Sequence, residues 1–278
     1  NGLYYQPTCQ NNTQKNGLNG HSNHSTNNLS NGPHPMQAII DKIPLADLED
    51  IGIRVEPINP NIKNIMITGG ADFMSFILRE KKIDTIFHLA AQTHVDNSFG
   101  DSFEFTKNNV MGTHVMLEAA KVHGIKRFIH VSTDEVYGEV AKTSVAPSNP
   151  YSATKAAAEC LVQAYHKSFG LPIIITRSNN IYGPYQYPEK ICSKFICNGS
   201  NSRKYLYAGD VADALDIILH KGQVGEIYNI GSNFEISNLE LARTLIRKFG
   251  YKEEEHIEFV QDRAFNDRRY AVDYRKLR

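Results

Sequence analysis

The stretch RFIHVSTDEVY, residues 127–137, gives the first indication of the fold. Its opening run, residues 127–132, is typical of a buried strand, and polar and acidic residues follow it at once. DTIFHLA at residues 84–90 precedes it and PIIITR at residues 172–177 follows it, and both are strand-like as well. The helical patterns that separate these strands lie at residues 102–123 and 149–169. Such alternation predicts an α/β fold with a parallel sheet covered on both faces.

The segment before these strands divides into a polar tail, a short connector and a first strand. Residues 1–35 are rich in Asn, Gly, Ser and His, and they cannot bury enough apolar surface to offset the entropy of ordering. We therefore predict that residues 1–60 are a disordered tail and linker. The run at residues 65–67 predicts a buried strand that ends in Thr-Gly-Gly at 68–70, and residues 73–81 have helical spacing.

The sequence after residue 200 predicts fewer strands and more isolated helices. Asp210 is a candidate N-cap, and Ser237 with Glu240 has the spacing of a capping box. The expected elements are a helix over 211–221, a strand over 226–231 and a helix over 238–249.

Bulk composition excludes several classes of function. Lys plus Arg equals Asp plus Glu at 30 each, so no net positive charge recruits nucleic acid or an anionic membrane surface. No apolar run approaches the ~18 residues that span a bilayer, and residues 1–35 lack the apolar core of a signal peptide. The four cysteines form no C-x-x-C pair, which predicts reduced thiols, no metal site and a cytoplasmic protein. The chain does not begin with Met, and we expect it to be a fragment.

Tyr151 and Lys155 are the first candidate catalytic pair. Residues four apart on a helix share one face, so the lysine ammonium is expected near the phenol. An ammonium there favours the phenolate and predicts that the pKa of the tyrosine falls from ~10 towards neutrality. A pair with this spacing also occurs in many helices for structural reasons, and its position after a strand that ends in Ser132-Thr133 is what favours a catalytic role.

Thr133, Asp134 and Glu135 form the second candidate constellation. They follow a strand directly, and the carboxyl ends of parallel strands are where α/β sheets bind ligands. Two adjacent carboxylates in different surroundings can serve as an acid and a base. Taken without its context, the Asp-Glu pair is equally typical of a solvated loop at a strand end.

Seven blocks of the sequence together resemble the dTDP-glucose 4,6-dehydratase family, a group of extended short-chain dehydrogenases/reductases, and its UDP-glucose-using relatives. The resemblance covers residues 61–278 and follows the order of the family. The blocks are HLAAQTHVDNSF (88–99), HVSTDEVYGE (130–139), NPYSATKAAAE (149–159), RSNNIYGPYQYPEK (177–190), SRKYLYAGDVADAL (202–215), GEIYNIGS (225–232) and DRAFNDRRY (262–270). The Thr-Asp-Glu triplet distinguishes the dehydratases from most 4-epimerases of the same fold.

The resemblance implies a reaction and a role for each catalytic candidate. Tyr151, assisted by Lys155, would deprotonate the 4-hydroxyl of glucose while hydride passes to NAD, and Thr133 would bind the same oxygen. Glu135 would then remove the C5 proton and Asp134 would protonate the departing 6-hydroxyl. Return of the hydride gives a 4-keto-6-deoxy sugar and regenerates the cofactor.

The resemblance also implies the binding residues and an oligomeric state. The cofactor side is implied for Gly69, Gly70, Leu89, Ala90, Ala91, Gln92 and Thr93. The sugar nucleotide, dTDP-glucose or UDP-glucose, is implied to contact Asn180, Lys190, Arg203, Asn229 and Arg263. Arg203 and Arg263 could equally form surface ion pairs. Family members are usually homodimers through the two helices at residues 102–123 and 149–169.

The chain departs from the family in its dinucleotide loop. Where the family pattern T-G-G-A-G-F-I-G has its later glycines, this chain has Asp72 and Ser75. Glycine is required at these positions for close approach of the pyrophosphate and for packing of the helix on the sheet. The interval from Gly70 to the strand at 84–90 has room for one helix only. We therefore expect a Rossmann-like NAD-binding sheet that lacks its second and third strands, so that the first strand becomes an edge.

The expected division is a tail and linker at 1–60, a Rossmann-like domain at 61–178 and a small, truncated C-terminal substrate lobe at 179–278, with interleaved sheet elements. Three hypotheses for function remain open. The chain is an active 4,6-dehydratase, or an impaired relative that binds a partner or arises from splicing or a faulty gene model, or a nucleotide-sugar 4-epimerase. The Thr-Asp-Glu triplet argues against the third.

Overall fold

The computed structural model of the chain describes residues 65–68, 78, 81–139, 144–186, 201–257, 267–270 and 272–277. All of them fall within one unit that spans residues 46–278. The predictions for the tail and linker, for the glycine loop, and for Lys190 and Arg263 lie outside the described residues, as does most of the helix expected at 73–81.

The main sheet is parallel and has five strands in the described part of the chain. Their order across the sheet is β1-β2-β3-β4-β7. The strands are β1 Ile65–Thr68, β2 Thr85–His88, β3 Arg127–Thr133, β4 Ile173–Ser178 and β7 Ile227–Ile230. Strands predicted from their apolar runs are thus confirmed, with boundaries shifted by at most two residues.

The position of β1 confirms the expected loss of two strands. Ile65 pairs with Thr85 in parallel register, so the first strand lies directly beside the strand at residues 85–88. Among the described strands β1 is an edge, and Ile65 is 43% exposed. The single short connection between β1 and β2 has no room for two further strands, and the sheet closes across the gap.

A short helix precedes β3 and is followed, after the non-helical Asp101, by a longer helical segment that passes through a π-helical turn. The short helix is α1 Val95–Gly100, and the longer segment consists of α2 Ser102–Phe105, the π turn Thr106–Met111 and α3 Gly112–Val122. Sequence periodicity predicted a single amphipathic helix here and could not show the π turn, because the apolar spacing shifts by only one residue. Such turns often occur at functional sites.

Helix α4, Pro150–Phe169, packs beside α3 on one face of the sheet. Asn149 and Ser152 form a reciprocal capping box at its start, and Gly170 ends it in the left-handed region with a φ of 66°. The core beneath these helices is apolar and includes Leu117, Phe128 and Val162. Burial of this core holds the amino-terminal end of α4 against the carboxyl end of β3.

The other face is covered by α5, Ala208–Lys221, which packs Val211 and Ile218 against Ile129 and Ile174. Asp210 does not cap this helix, so that prediction was wrong. The helix begins at Ala208 after the extended Tyr207, and Asp210 lies in its first turn. A carboxylate there still interacts favourably with the helix dipole.

A second, three-stranded sheet was not predicted from the sequence. It has the order β5-β6-β8, with β5 Asn180–Tyr182, β6 Ser202–Tyr207 and β8 Glu235–Ser237. Two of its strands have only three residues each, which is too short for alternation to be visible. Helix α6, Asn238–Lys248, follows β8, and Ser237 accepts a hydrogen bond from the Glu240 amide as its N-cap. The short helix α7, Glu253–His256, comes next.

Candidate active site

The candidate catalytic residues begin where β3 ends. Thr133 is extended and serves as the N-cap of a 3-10 turn, Asp134–Tyr137, because its hydroxyl accepts a hydrogen bond from the Glu135 amide at 3.3 Å. The same hydroxyl donates to Asp134 Oδ1 at 3.3 Å. The tight turn therefore directs two successive carboxylates away from the sheet at its carboxyl edge, as expected for a ligand site of an α/β fold.

Asp134 is the more deeply buried of the two carboxylates. Its side chain is 2% exposed, and Oδ2 accepts a hydrogen bond from Asn179 Nδ2 at 2.6 Å. Burial, reinforced by the nearby charge of Glu135, raises the pKa of Asp134 to about 7. A large fraction of this carboxyl group is thus protonated at neutral pH and can donate a proton.

Glu135 is half-buried and lies in more polar surroundings. Its Oε2 accepts a hydrogen bond from Asn149 Nδ2 at 3.1 Å, and Tyr270 OH lies 3.4 Å from the same oxygen. Asn149 is also the N-cap of α4. Asn149 therefore both starts α4 and orients the Glu135 carboxylate.

Tyr151 lies in the first turn of α4 and is 7% exposed. Burial, together with the charges of Glu135 and Asp134, raises the pKa of Tyr151, although a hydrogen bond with Thr133 acts in the opposite direction. The prediction that this pKa falls towards neutrality was wrong for this arrangement. Two carboxylates face the phenol, and Lys155 is not among the groups that shift its pKa.

Lys155 lies one helical turn after Tyr151 and points to the sheet. Its Nζ donates to the Val131 carbonyl oxygen at 2.8 Å. Burial lowers the pKa of Lys155 to about 8, against the effect of Glu159, which raises it. Burial and this lysine also lower the pKa of His88 to about 3, so the imidazole stays neutral. His88 therefore adds no positive charge beside Lys155 at neutral pH.

A buried ion pair fixes α4 to β4. Arg177 donates to both carboxylate oxygens of Glu159, with Nη2 at 2.5 Å from Oε2, and both side chains are at most 5% exposed. The guanidinium also lies over the Tyr137 ring, 4.6 Å from its centroid. Tyr137 OH in turn donates to Asn229 Oδ1 at 3.0 Å. This chain of contacts connects the turn at the end of β3, helix α4 and the strands β4 and β7.

The expected cofactor residues form the loop that follows β2. Leu89 is 42% exposed, Ala90 and Ala91 are half-buried, and Gln92 and Thr93 are exposed. Asn109, from the π turn, holds this loop: it accepts from Gln92 N at 2.7 Å and donates to Gln92 O at 3.1 Å. The small side chains of the two alanines leave the backbone at the sheet edge open to a ligand, which fits a dinucleotide that needs close backbone approach.

The expected substrate residues differ in their surroundings. Asn180 is half-buried at the start of β5 and pairs with Tyr205 on β6. Arg203 is 6% exposed, donates to the Ser202 carbonyl at 2.9 Å and lies 4.8 Å from the Tyr270 ring centroid. Asn229 is engaged by Tyr137 and by the Asp273 carbonyl.

Sequence reasoning missed four residues that complete the site. They are Asn109, Asn149, Asn179 and Tyr270, which contact the loop after β2 or the two carboxylates. Three are asparagines, which a sequence shows mainly as turn or cap residues. Tyr270 is more than a hundred residues from Glu135, so its place next to that carboxylate depends on the tertiary fold alone.

The chain matches the profile of a known family over most of its length. The family is GDP-mannose 4,6 dehydratase, and the match covers residues 67–278. Among curated proteins, the chain is 47% identical to the trifunctional UDP-glucose 4,6-dehydratase/UDP-4-keto-6-deoxy-D-glucose 3,5-epimerase/UDP-4-keto-L-rhamnose-reductase of Arabidopsis thaliana, over 92% of this chain. It spans 42% of the length of that protein.

Two solved structures are also similar. A dTDP-glucose 4,6-dehydratase from Streptomyces venezuelae with NAD and TYD bound is 32% identical, with a TM-score of 0.72, and the match covers 80% of this chain and 82% of that one. A UDP-glucuronic acid 4-epimerase from Bacillus cereus with UDP-glucuronic acid and NAD is 28% identical, with a TM-score of 0.68 and coverages of 86% and 79%.

Proposed function

The chain belongs to the GDP-mannose 4,6 dehydratase family, whose profile it matches. We propose that the protein is an NAD-dependent 4,6-dehydratase that acts on UDP-glucose or dTDP-glucose. The observation that carries this proposal is the unequal pair of carboxylates at the end of β3. Asp134 holds a proton near neutral pH, whereas Glu135 is oriented by Asn149 in a more polar setting. Elimination of water from a sugar needs one group that donates a proton and one that removes a proton.

Asp134 is the proposed acid. Its pKa of about 7 lets it lose a proton to a departing hydroxyl and still be protonated before the reaction. Asn179 holds Oδ2 at 2.6 Å and thereby fixes the direction of the carboxyl group. Transfer of the proton to the 6-hydroxyl releases water from C6.

Glu135 is the proposed base for the C5 hydrogen, and Tyr151 is the proposed base for the 4-hydroxyl. Tyr151 ionises with difficulty while both carboxylates are charged, because their charges raise its pKa. With Asp134 protonated, one of these two charges is absent, so the acid form of Asp134 also favours proton loss from Tyr151. Lys155 adds positive charge at the sheet and holds the backbone of β3 through Val131.

The loop from Leu89 to Thr93 is the proposed cofactor contact, with Gly69 and Gly70 completing it. NAD supplies a hydride acceptor and donor for the sugar carbons when it is bound. Asn109 keeps the loop in place by bonding both backbone groups of Gln92. Asn180, Lys190, Arg203, Asn229 and Arg263 are the proposed contacts of the sugar nucleotide.

Turnover of purified protein with NAD and each sugar nucleotide tests the proposal, with the 4-keto-6-deoxy product identified by NMR. Glu135→Gln should lower the rate by roughly 10²–10⁴-fold, since it removes a general base. Glu240→Gln is the matched control, because Glu240 forms an exposed ion pair with Arg247 on α6. Equal rates for the two variants would exclude the assigned role of Glu135.

A second candidate is a chain that keeps the catalytic groups but has lost its hold on NAD. The sequence favours it through Asp72 and Ser75, which replace glycines of the dinucleotide loop. Equilibrium dialysis with NAD separates the two candidates. Retention of NAD together with product formation excludes the impaired form. A protein that neither retains NAD nor forms product supports it. Formation of a 4-epimer without loss of water would support the epimerase instead.

A homodimer is the proposed assembly, and the exposed surface of the helices that precede and follow β3 supports it. The exposed large apolar residues there are Phe103, Met111, Val115, Val122 and Phe169. Large apolar side chains exposed on neighbouring helices are typical of an interface. Val115→Glu should shift the protein to a monomer in analytical ultracentrifugation, whereas Val224→Glu, exposed on another part of the surface, should leave the dimer intact.

A cytoplasmic location is the proposed compartment. Cys160 is a free, exposed thiol, which is typical of a reducing environment. Among the residues that the structure describes, no helix combines the length and the apolar character needed to cross a membrane. Fractionation of cells that express a tagged chain tests the location directly.

A further inference from the structure

A buried carboxylate outside the catalytic scheme lies beside Tyr270. Asp267 is 1% exposed, and its Oδ2 accepts a hydrogen bond from Tyr270 OH at 2.6 Å. The Ser148 hydroxyl donates to the same oxygen. Both donors therefore converge on one oxygen of a carboxylate that has almost no contact with solvent.

The other oxygen of this carboxylate makes the arrangement unusual. Asp267 Oδ1 is buried and has no hydrogen-bond partner among the described residues. A buried acceptor without a partner costs about 1–3 kcal/mol, so the two hydrogen bonds to Oδ2 are the contacts that offset the burial of this carboxylate. The position of the segment does not depend on the carboxylate alone, because Asn201 Nδ2 holds the Asp267 carbonyl at 2.9 Å and Ser202 N donates to the Arg268 carbonyl at 3.0 Å.

Tyr270 has one hydroxyl proton and two carboxylates within reach. Asp267 Oδ2 is 2.6 Å from the hydroxyl oxygen and Glu135 Oε2 is 3.4 Å from it. The shorter contact has the geometry of a strong charge-assisted hydrogen bond, whereas the longer one is marginal. The proton is therefore directed to Asp267, and a lone pair of the tyrosine oxygen faces Glu135.

We propose that Asp267 is a positioning residue for Glu135: it draws the Tyr270 proton away, so that the tyrosine oxygen can accept a hydrogen bond from Glu135 once Glu135 has taken a proton from the substrate. This inference rests on the proposed dehydratase function. It assigns Asp267 a role in the proton-removal step alone, separate from the hydride step at C4.

The C5–H bond breaks and its proton passes to Glu135 Oε2, while the electron pair forms the C5–C6 double bond and the 6-hydroxyl leaves with the proton of Asp134. The new Glu135 O–H then donates to Tyr270 Oη, whose own proton stays on the side of Asp267. Loss of the aspartate charge lets the Tyr270 proton turn to Glu135, which stabilises its charged form and makes it a weaker base.

Asp267→Asn tests the proposal by slowing proton removal without slowing hydride transfer. With UDP-glucose, reduced cofactor should accumulate at 340 nm several-fold above the wild-type level. Turnover should fall by about 10-fold, a partial loss of the roughly 10²–10⁴-fold that a general base contributes. Asn201→Ala is the matched control, because it loosens the same segment through its backbone and keeps the carboxylate. Equal accumulation in the two variants would reduce Asp267 to a structural role.

Carboxyl ¹³C NMR of glutamate-labelled protein without cofactor or substrate gives a second readout. The Glu135 resonance, assigned by its loss in Glu135→Gln, should move in Asp267→Asn at fixed pH and stay in place in Asn201→Ala. In a Tyr270→Phe background, adding Asp267→Asn should leave the Glu135 resonance where it is in Tyr270→Phe alone, since the hydroxyl carries the effect. A movement that persists in the double variant would overturn the proposal.

The two readouts separate this proposal from the proposed function. If wild-type protein forms no product while the Glu135 resonance behaves as described, the dehydratase function fails and the contact between Asp267, Tyr270 and Glu135 stands. If product forms but Asp267→Asn accumulates no reduced cofactor and leaves the resonance unchanged, the role of Asp267 fails and the function stands.

Discussion

Two buried charged clusters lie along helix α4, and they are built on opposite principles. At its middle, Glu159 and Arg177 form a bidentate pair of opposite charges with both side chains buried. At its beginning, Asp134 and Glu135 bring two like charges next to the buried phenol of Tyr151. In the first cluster each charge is paired with an opposite charge. In the second, burial and neighbouring negative charges raise the pKa of Asp134 and of Tyr151.

The difference shows how one helix serves both the fold and the chemistry. An ion pair with several hydrogen bonds is rigid and has little reason to change its protonation state. A group of acids that cannot all ionise keeps one proton available, which is what acid–base chemistry needs. The rigid cluster holds the reactive one, since Arg177 also contacts Tyr137 at the end of the catalytic turn.

The largest expected effect comes from removing the acid of the reactive cluster. Asp134→Asn should lower dehydratase turnover by roughly 10²–10⁴-fold and leave the free energy of unfolding unchanged or higher, because a like-charge contact disappears. Enzyme assays and urea unfolding measure the two quantities. Asp213→Asn, an exposed change on α5, is the control for both. A clear decrease in the free energy of unfolding of Asp134→Asn relative to Asp213→Asn would mean that Asp134 also stabilises the fold.

Next in size is the effect of breaking the rigid cluster. Arg177→Met leaves the Glu159 charge buried without its partner and should lower the free energy of unfolding by about 3–5 kcal/mol. The double replacement Arg177→Met with Glu159→Leu should recover most of this loss, because no buried charge remains. Urea unfolding of the three proteins gives the values. If the double variant were as unstable as the single one, packing of the guanidinium on Tyr137 would outweigh the charge.

The pH dependence of stability should also distinguish the clusters. The pKa of Asp134 is raised from 3.8 to about 7 in the folded protein. Below pH ~4 Asp134 is protonated in both the folded and the unfolded state. Between pH ~4 and ~7 it ionises only in the unfolded chain, so this group lowers the free energy of unfolding as pH rises, by about 4 kcal/mol in total.

The measurement is the difference in unfolding free energy between wild type and Asp134→Asn across this range. A difference is needed because His88 also contributes to the pH dependence, in the opposite direction. Its pKa is lowered from 6.5 to about 3, so its contribution to the free energy of unfolding is lost as pH falls. A difference that stays constant from pH 4 to 7 would contradict the raised pKa of Asp134.

The smallest expected effect provides a baseline away from both clusters. Ser237→Ala removes the N-cap contact to the Glu240 amide at 3.2 Å and should cost about 1 kcal/mol of stability, with turnover unchanged. Thermal unfolding and enzyme assays check this. A marked loss of turnover would show that the start of α6 influences the catalytic residues.

Much of this architecture was predictable from the sequence because the relevant signals are local. The strands at residues 85–88, 127–133 and 173–178 appear as short apolar runs, and Gly170 ends α4 as expected. The adjacency of β1 and β2 also followed from the short interval between them. The small sheet was missed, since three-residue strands carry no period. Asp210 was misplaced because the helix begins three residues earlier than predicted, at Ala208.

The fold class, the place of β1 beside β2 and the residues at the end of β3 could be inferred from the sequence, because periodicity and motif spacing depend on neighbours along the chain. The folded structure was needed to see that the pKa of Asp134 rises to about 7, that the pKa of Tyr151 rises instead of falling, and that Tyr270 links Asp267 to Glu135. These properties depend on burial and on which distant charges come within a few ångströms, and only the folded chain brings those groups together.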